Sequence, residues 1–281
     1  MLKLSRGLIG VSYTSWEETF WRAVLLASCV LGFGFLIIPI FAVLPISFSS
    51  GSTLGYPLPG FSLRWYEEIF SPRPWGMTLT NSLIIAAATT VLATILGTLA
   101  AYWVTVSKLR FKKLVVAFLL APMVVPLVIL ALAFYFAFSQ IGIRGTYLSL
   151  ILAHTVLATP FVIVTVTATM SGFDTNLIRA GQSLGASPLP VFREITLPLI
   201  MPGVLAGAVF AFMTSFDEVV VALFISSPTT KTLPIELFAQ LREQLTPAIV
   251  AISSLLIVFS VTTLGLAQFV RSRGQLKRGE K

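Results

Sequence analysis

Charge is scarce in this chain. Only 11% of its 281 residues are Asp, Glu, Lys or Arg, and 56% are hydrophobic. An ordinary globular chain carries ~25% charged residues, so this composition, with a mean hydropathy of +0.93, excludes an ordinary soluble domain. Cysteine is scarcer still. Cys29 stands alone, which excludes an internal disulfide and a cysteine-built metal cluster, and within its apolar run it reads as a small buried hydrophobe. His154 is the sole histidine and reads more readily as a packed, hydrogen-bonded group than as a ligand or proton relay. Gly-x-x-x-x-Gly-Lys-[Ser/Thr] and His-Glu-x-x-His runs are missing, and the Gly-x-Ser-x-Gly spacing from Gly181 to Gly185 lies in a polar helix-and-turn stretch rather than at a strand-to-helix turn. The chain therefore holds no phosphate-cradling loop, zinc-protease helix or nucleophile elbow, and reads as a non-enzyme with no bound cofactor or metal.

What it has instead is long apolar runs, at about 22–47, 79–104, 114–138, 147–170, 200–225 and 247–270. Each is long enough to cross ~30 Å of hydrocarbon with some tilt. Lipid offers backbone amides no partners, so such runs must be helical and the expected fold is an all-α membrane protein with six transmembrane helices. The first run is too long for a signal-peptide core and lacks a small-residue cleavage site, so it reads as a retained span. Pro39 and Pro45 predict a kink at its far end, and Trp16 and Trp21 read as interfacial anchors. The second run is rich in Ala, Thr and Gly, which lets helices approach closely in lipid. Residues 48–76 predict a short outer helix around Trp65, Tyr66 and Phe70, and 226–246 an outer loop with a helix after Pro234.

Basic residues orient the chain. Lys3, Arg6, Arg22, Lys108, Arg110, Lys112, Lys113, Arg179, Arg193 and the tail from Arg271 fall on one side. Arg64, Arg73, Arg144, Lys231 and Arg242 fall on the other. By the positive-inside rule the richer side is cytoplasmic, and it holds both termini, as an even number of spans requires. The same rule accounts for the net charge of +8 without nucleic acid. The expected organisation is a cytoplasmic N-terminal segment (1–21), a first span with its outer loop (22–77), a core of five spans (78–270) and a basic cytoplasmic tail (271–281). No internal repeat is visible, which weakens a secondary transporter built from inverted halves.

The longest polar interruption in the second half of the chain lies between the fourth and fifth runs, within 171–198, on the cytoplasmic side. It reads as helix, turn, helix. Asp174 and Thr175 can cap the first helix, and Leu177, Ile178 and Leu184 give it a partial apolar stripe. Gly185 can adopt the left-handed conformation that ends a helix. Pro188 suits the first turn of the second helix, whose apolar face is Val191, Phe192 and Ile195. This stretch resembles the coupling loop of the membrane subunits of bacterial ATP-driven importers, whose pattern is Glu-Ala-Ala, three residues, Gly, nine residues, Ile-x-Leu-Pro. Ala180, Gly185, Ile195, Leu197 and Pro198 match in spacing. Arg179 stands where that family usually has Glu, and Gly181 where it has the second Ala.

The resemblance implies a type I ABC importer permease of the MetI-like fold in a bacterial inner membrane, surrounded by lipid. It implies a homologous second permease subunit as heterodimer partner, two cytosolic ATPase subunits that bind ATP and Mg, and an extracytoplasmic substrate-binding protein. It places the ATPase contact at 174–197, with Leu177, Ile178, Arg179, Ala180, Gly181, Leu184, Gly185, Ala186 and Phe192 as docking residues.

Asp217 and Glu218 are the only acidic pair inside a predicted span. Insertion of one such charge at a bilayer centre costs ~2.5–3.5 kcal/mol. On a continuous helix Asp217 would share a face with Phe210 and Thr214, and Glu218 with Ser215. The pair reads either as the lining of a cation path, with Thr214 and Phe210, or as a hydrogen-bonded brace between helices. Residues 78–270, through the stretches NSLIIAAATTVLATILGTLAAYWV and SFDEVVVALFISSPTTKTLP, resemble the polyamine (spermidine/putrescine) branch of these importers. Permeases for iron, opines, phosphonates and amino-acid-like solutes share much of the pattern. Two other classes stand beside this reading: an ion-coupled secondary transporter using His154, Asp217 and Glu218 as a relay, and a membrane-anchored sensor or scaffold.

Overall fold

The structure, a computed structural model, describes residues 16–107, 110–243 and 245–279, all in helices and their connections apart from one isolated antiparallel bridge between Ser49 and Phe61. The expected N-terminal segment through residue 15, Lys108, and the side chains of the basic tail lie outside the described residues.

Helix α1 (Trp16–Val43) starts earlier than the hydropathy predicts and passes into a 3₁₀ turn, Leu44–Phe48, where Pro45 cannot donate to the helical ladder. It is apolar all round, with Leu25, Leu31, Phe35 and Phe41 exposed, as a lipid-facing or partner-facing helix is. Cys29 is exposed on it rather than buried, because α1 packs on no other long helix. After α2 (Arg64–Ile69) and a π turn, Pro72–Gly76, comes α3 (Met77–Val106). The expected third span is broken. Helix α4 (Lys112–Leu120) and a 3₁₀ turn, Ala121–Met123, meet α5 (Leu127–Gln140) at a 93° bend. Pro122 and Pro126 cause it, since each lacks a backbone donor and Pro126 drives Val125 out of helical geometry.

Helix α6 (Tyr147–Met170) is capped by the Thr146 hydroxyl, which accepts from the Ser149 amide at 3.3 Å. Then follow α7 (Asn176–Ser183), the one-turn α8 (Pro188–Pro190), a π turn at Val191–Thr196, and α9 (Leu197–Phe216). The expected fifth span also breaks, because α9 stops at Phe216 and α10 (Val220–Ile225) restarts after three residues. Helices α11 (Leu233–Glu243) and α12 (Pro247–Gly279) complete the chain. Among the described residues four helices are long and apolar enough to cross a membrane, and the bent α4–α5 pair would be a fifth. The apolar helix Pro247–Thr262 within α12 is shorter.

Helices α3, α6 and α9 form the centre. Their shared cluster is built of small and β-branched residues, among them Ala93, Ala101, Ala158, Val162, Val166 and Ala211. At the α3–α6 crossing a β-carbon on Gly97 would come within 2.6 Å of Val162 Cβ, so only glycine permits this spacing. A second cluster, including Ala131, Leu150, Val221 and Ile225, joins α5, α6 and α10. A third, including Trp65, Trp75, Leu233 and Ile252, fixes α2 and α11 against α12. The Trp65 indole N–H donates to the Ser49 carbonyl at 2.8 Å, and Tyr66 exchanges a hydroxyl hydrogen bond with Ser47, so two of the three aromatics expected there brace the loop while Phe70 stays exposed. At the same end Asn81 Nδ2 donates to the carbonyls of Thr229 (3.0 Å) and Lys231 (2.9 Å), and the Tyr147 hydroxyl donates to Asn81 Oδ1. Lys231 in turn pairs with Glu236 at 2.6 Å.

Candidate functional site

Two features stand at different depths of the α3–α6–α9 centre. The first is the hairpin between α6 and α9. Asp174 Oδ1 accepts from the Asn176 amide at 2.9 Å at the start of α7, while the Thr175 side chain makes no capping bond. The helix ends in a Schellman closure: the Ala186 amide donates to the Gly181 carbonyl (3.2 Å) and the Gly185 amide to Gln182 (3.0 Å). Gly185 has φ +87°, a left-handed conformation that costs other residues ~1–2 kcal/mol.

Two of the residues expected on the docking surface face inward. Ile178 is buried. Gly181 is buried too, and a β-carbon there would sit 3.0 Å from Ile195 Cδ1 and 3.1 Å from Val191 Cγ2. Glycine at this position therefore lets α7 close on the Val191–Thr196 turn. Phe192 is half-buried, with its ring 5.0 Å from Tyr102 in an edge-to-face contact, which ties the hairpin to the end of α3. The outward surface is formed by Leu177, Arg179, Ala180, Leu184 and Gly185, with Ala186 half-buried beside them. Leu184 is 89% exposed at the tip.

The second feature is a cavity of about 740 Å³ where the two broken spans face each other. Pro122, Met123 and Val125 line it from the α4–α5 bend, Thr214 to Val220 from the α9–α10 break apart from Ser215, and Phe161 from α6. Thr214, Asp217 and Glu218 all line it. Phe210 does not; the lining on α9 starts at Met213, and Phe210 lies outside it, half exposed.

The break separates the two acids. Asp217 is exposed and Glu218 is buried. Glu218 Oε1 accepts from the Val221 amide and Oε2 from the Ala222 amide, both at 2.8 Å. Two of the otherwise unpaired donors in the first turn of α10 are thus satisfied. Hydrogen bonds to a charged acceptor contribute about 1.5–3 kcal/mol each, which offsets the cost of placing this group among apolar residues. His154, fully buried on α6, lies against the same group. Its Nδ1 is 2.9 Å from Ser215 Oγ and its Nε2 is 3.6 Å from Glu218 Oε2. This is the packed, hydrogen-bonded environment that a lone intramembrane histidine suggests. Hydropathy shows neither break, although an acidic pair directly ahead of Val219-Val220-Val221 carries a helix-start signature. Among the described residues no group of three or more His, Cys, Asp or Glu is placed to hold a metal ion.

Residues 93–274 match the family described as binding-protein-dependent transport system inner membrane component. The chain is 33% identical over 238 residues to the spermidine/putrescine transport system permease protein PotC of Haemophilus influenzae, covering 85% of this chain and 92% of that one. It is 35% identical over 267 residues to the putrescine transport system permease protein PotI of Escherichia coli K12, covering 92% and 93%. A solved bacterial ABC transporter involved in the import of the acidic polysaccharide alginate has a chain of similar fold, at TM-score 0.69 and 15% identity over 92% of this chain and 96% of that one. The chain therefore belongs to the binding-protein-dependent transport system inner membrane components: it is a multi-pass inner-membrane permease subunit of a bacterial ABC importer, working with a binding protein and ATPase subunits and without catalytic activity of its own.

Proposed function

We propose that this permease forms, with a homologous second permease subunit, the path for a small organic cation, a polyamine of the spermidine/putrescine class. The observation that carries the reading is Asp217, an exposed carboxylate at the wall of a largely apolar cavity opened by two broken spans. An apolar wall suits the methylene chain of a diamine and a single carboxylate its ammonium group, and displacement of water by the bound solute strengthens that pairing. The resemblance to PotC and PotI supports the same class.

In this reading the chain crosses the membrane six times, with α4–α5 and α9–α10 as discontinuous spans and α12 as the sixth, and both termini are cytoplasmic. The hairpin 174–197 docks on one of two cytosolic ATPases. Leu177, Arg179, Ala180, Leu184, Gly185 and Ala186 supply the contact, and Ile178, Gly181 and Phe192 hold its shape. ATP and Mg bind the ATPases, whose closure moves the hairpin and rocks the two permease subunits, so that the binding protein can release its solute into the cavity. Proteoliposomes holding the complete complex should take up putrescine when ATP is enclosed and binding protein is outside. Uptake driven by an ion gradient without ATP would contradict the reading and favour a relay through His154 and Glu218.

A further inference from the structure

We propose that Glu218 and His154 are positioning residues that set the α9–α10 break and thereby aim Asp217 into the cavity as its single available carboxylate; this rests on the reading of Asp217 as the counter-charge for a cation. Neighbouring acids in a transport path invite treatment as a paired site for a dication. Geometry separates them. Both oxygens of Glu218 are already engaged by the amides of Val221 and Ala222, and its side chain is 6% exposed. A carboxylate so engaged would have to surrender two charge-assisted bonds and uncap a helix start inside the membrane before it could bind a substrate. Asp217 makes no side-chain hydrogen bond among the described residues, and its exposed side chain is open to a solute. Among the described residues no carboxylate other than these two lines the cavity.

His154 completes the device from a different helix. Its ring is pinned by Ser215, in the last turn before the break, and its Nε2 makes no hydrogen bond. Across 3.6 Å it faces Glu218 Oε2. Ser215, Glu218 and the first amides of α10 are thus referred to one fixed point on α6, so the chain direction through residue 217 is set by the central helix trio rather than by the loop itself.

The test reads the direction of residue 217 without relying on the transported solute. In the complete complex carrying Cys29→Ser, which removes the exposed native thiol, the Asp217→Cys variant is labelled with a water-soluble cationic thiosulfonate. Labelling should be fast. It should slow about tenfold or more when Glu218→Ala removes the two hydrogen bonds to its carboxylate, and severalfold when His154→Ala removes the bond to Ser215. Glu218→Gln keeps the length and one acceptor oxygen, and should stay within about threefold of the parent, part of one such bond being retained. Putrescine uptake separates the roles. Asp217→Asn should raise the half-saturating concentration about tenfold, while Glu218→Gln moves it by no more than about threefold. Labelling at 217 that ignores Glu218→Ala and His154→Ala overturns the positioning role, as does Glu218→Gln weakening uptake as much as Asp217→Asn. The expected labelling pattern without any putrescine uptake would instead overturn the polyamine reading alone. Because Glu218→Ala could impair assembly, co-purification with the ATPase is scored for each variant, and the Glu218→Gln comparison decides the matter if Glu218→Ala does not assemble.

Discussion

Asp217 and Gly185 are the residues on which the transport account depends, and each can be changed with little cost to the fold. Asp217→Asn removes charge from an exposed side chain that makes no hydrogen bond among the described residues, so the complex should assemble at wild-type yield. Its apparent affinity for putrescine should fall by roughly 1.4 kcal/mol, the loss of one charge pair that the bound solute closes off from water, measured as the half-saturating concentration for uptake. Unchanged affinity would return the cavity to a passive role. At Gly185 nothing lies within 4 Å of where a β-carbon would stand, so the cost of a side chain there is backbone strain of about 1–2 kcal/mol and not a clash. Gly185→Asp adds strain, bulk and charge at the hairpin tip beside Leu184. It should leave the complex assembled while separating ATP hydrolysis from uptake, and wild-type uptake per ATP hydrolysed in that variant would count against the lever.

At the scale of elements, two contacts hold the parts that must move as units. The α3–α6 crossing depends on Gly97, where even a methyl group meets Val162 and the Thr159 carbonyl, at 2.6 and 3.1 Å. Gly97→Ala should therefore lower stability by about 1–3 kcal/mol, the usual cost of overpacking, seen as a lower midpoint of thermal unfolding in detergent. An unshifted midpoint would mean that the helices part easily. At the other end Asn81 binds two carbonyls of the 229–231 loop and receives the Tyr147 hydroxyl. Asn81→Ala leaves those carbonyls unpaired at about 1–3 kcal/mol for a buried group. It should make the 226–233 loop more susceptible to proteolysis, with the α7 hairpin unaffected; equal susceptibility in both proteins would show that the loop is held elsewhere.

How much of this is legible in the amino-acid sequence also divides by element. The hairpin is, because its shape is written in backbone chemistry: a glycine that must take positive φ and a proline that opens the next helix. The burial of Ile178 and Gly181 is not, since a stripe on an eight-residue helix does not say whether its apolar side meets this chain or another. The breaks in the third and fifth runs are hidden for a different reason. Hydropathy averages over a window and records composition, not direction, so Pro122, Pro126 and the Asp217–Glu218 step vanish into apolar surroundings. A continuous-helix argument reaches back past Thr214 and puts Phe210 beside Asp217, whereas the cavity begins at Met213.

In the whole molecule, a hairpin at one end of α6 and α9 is joined to a cavity where α9 breaks. The two lie along one helix, Leu197–Phe216, packed on α3 and α6, which in the proposed function is the route by which hairpin movement reaches the cavity wall. A rigid, small-residue interface suits that task, because tightly packed helices shift as bodies rather than deforming. The α1 helix, apolar on every side and unburied, and the exposed aromatic and aliphatic face of α5 leave room for lipid and a second permease subunit. The most direct test is ATP hydrolysis by the purified complex in liposomes with its binding protein, assayed against a panel of amines, amino acids and opines. Putrescine or spermidine should stimulate hydrolysis, an effect lost at the hairpin tip with Gly185→Asp and weakened with Asp217→Asn. Stimulation confined to neutral or anionic solutes, with Asp217→Asn without effect, would contradict it.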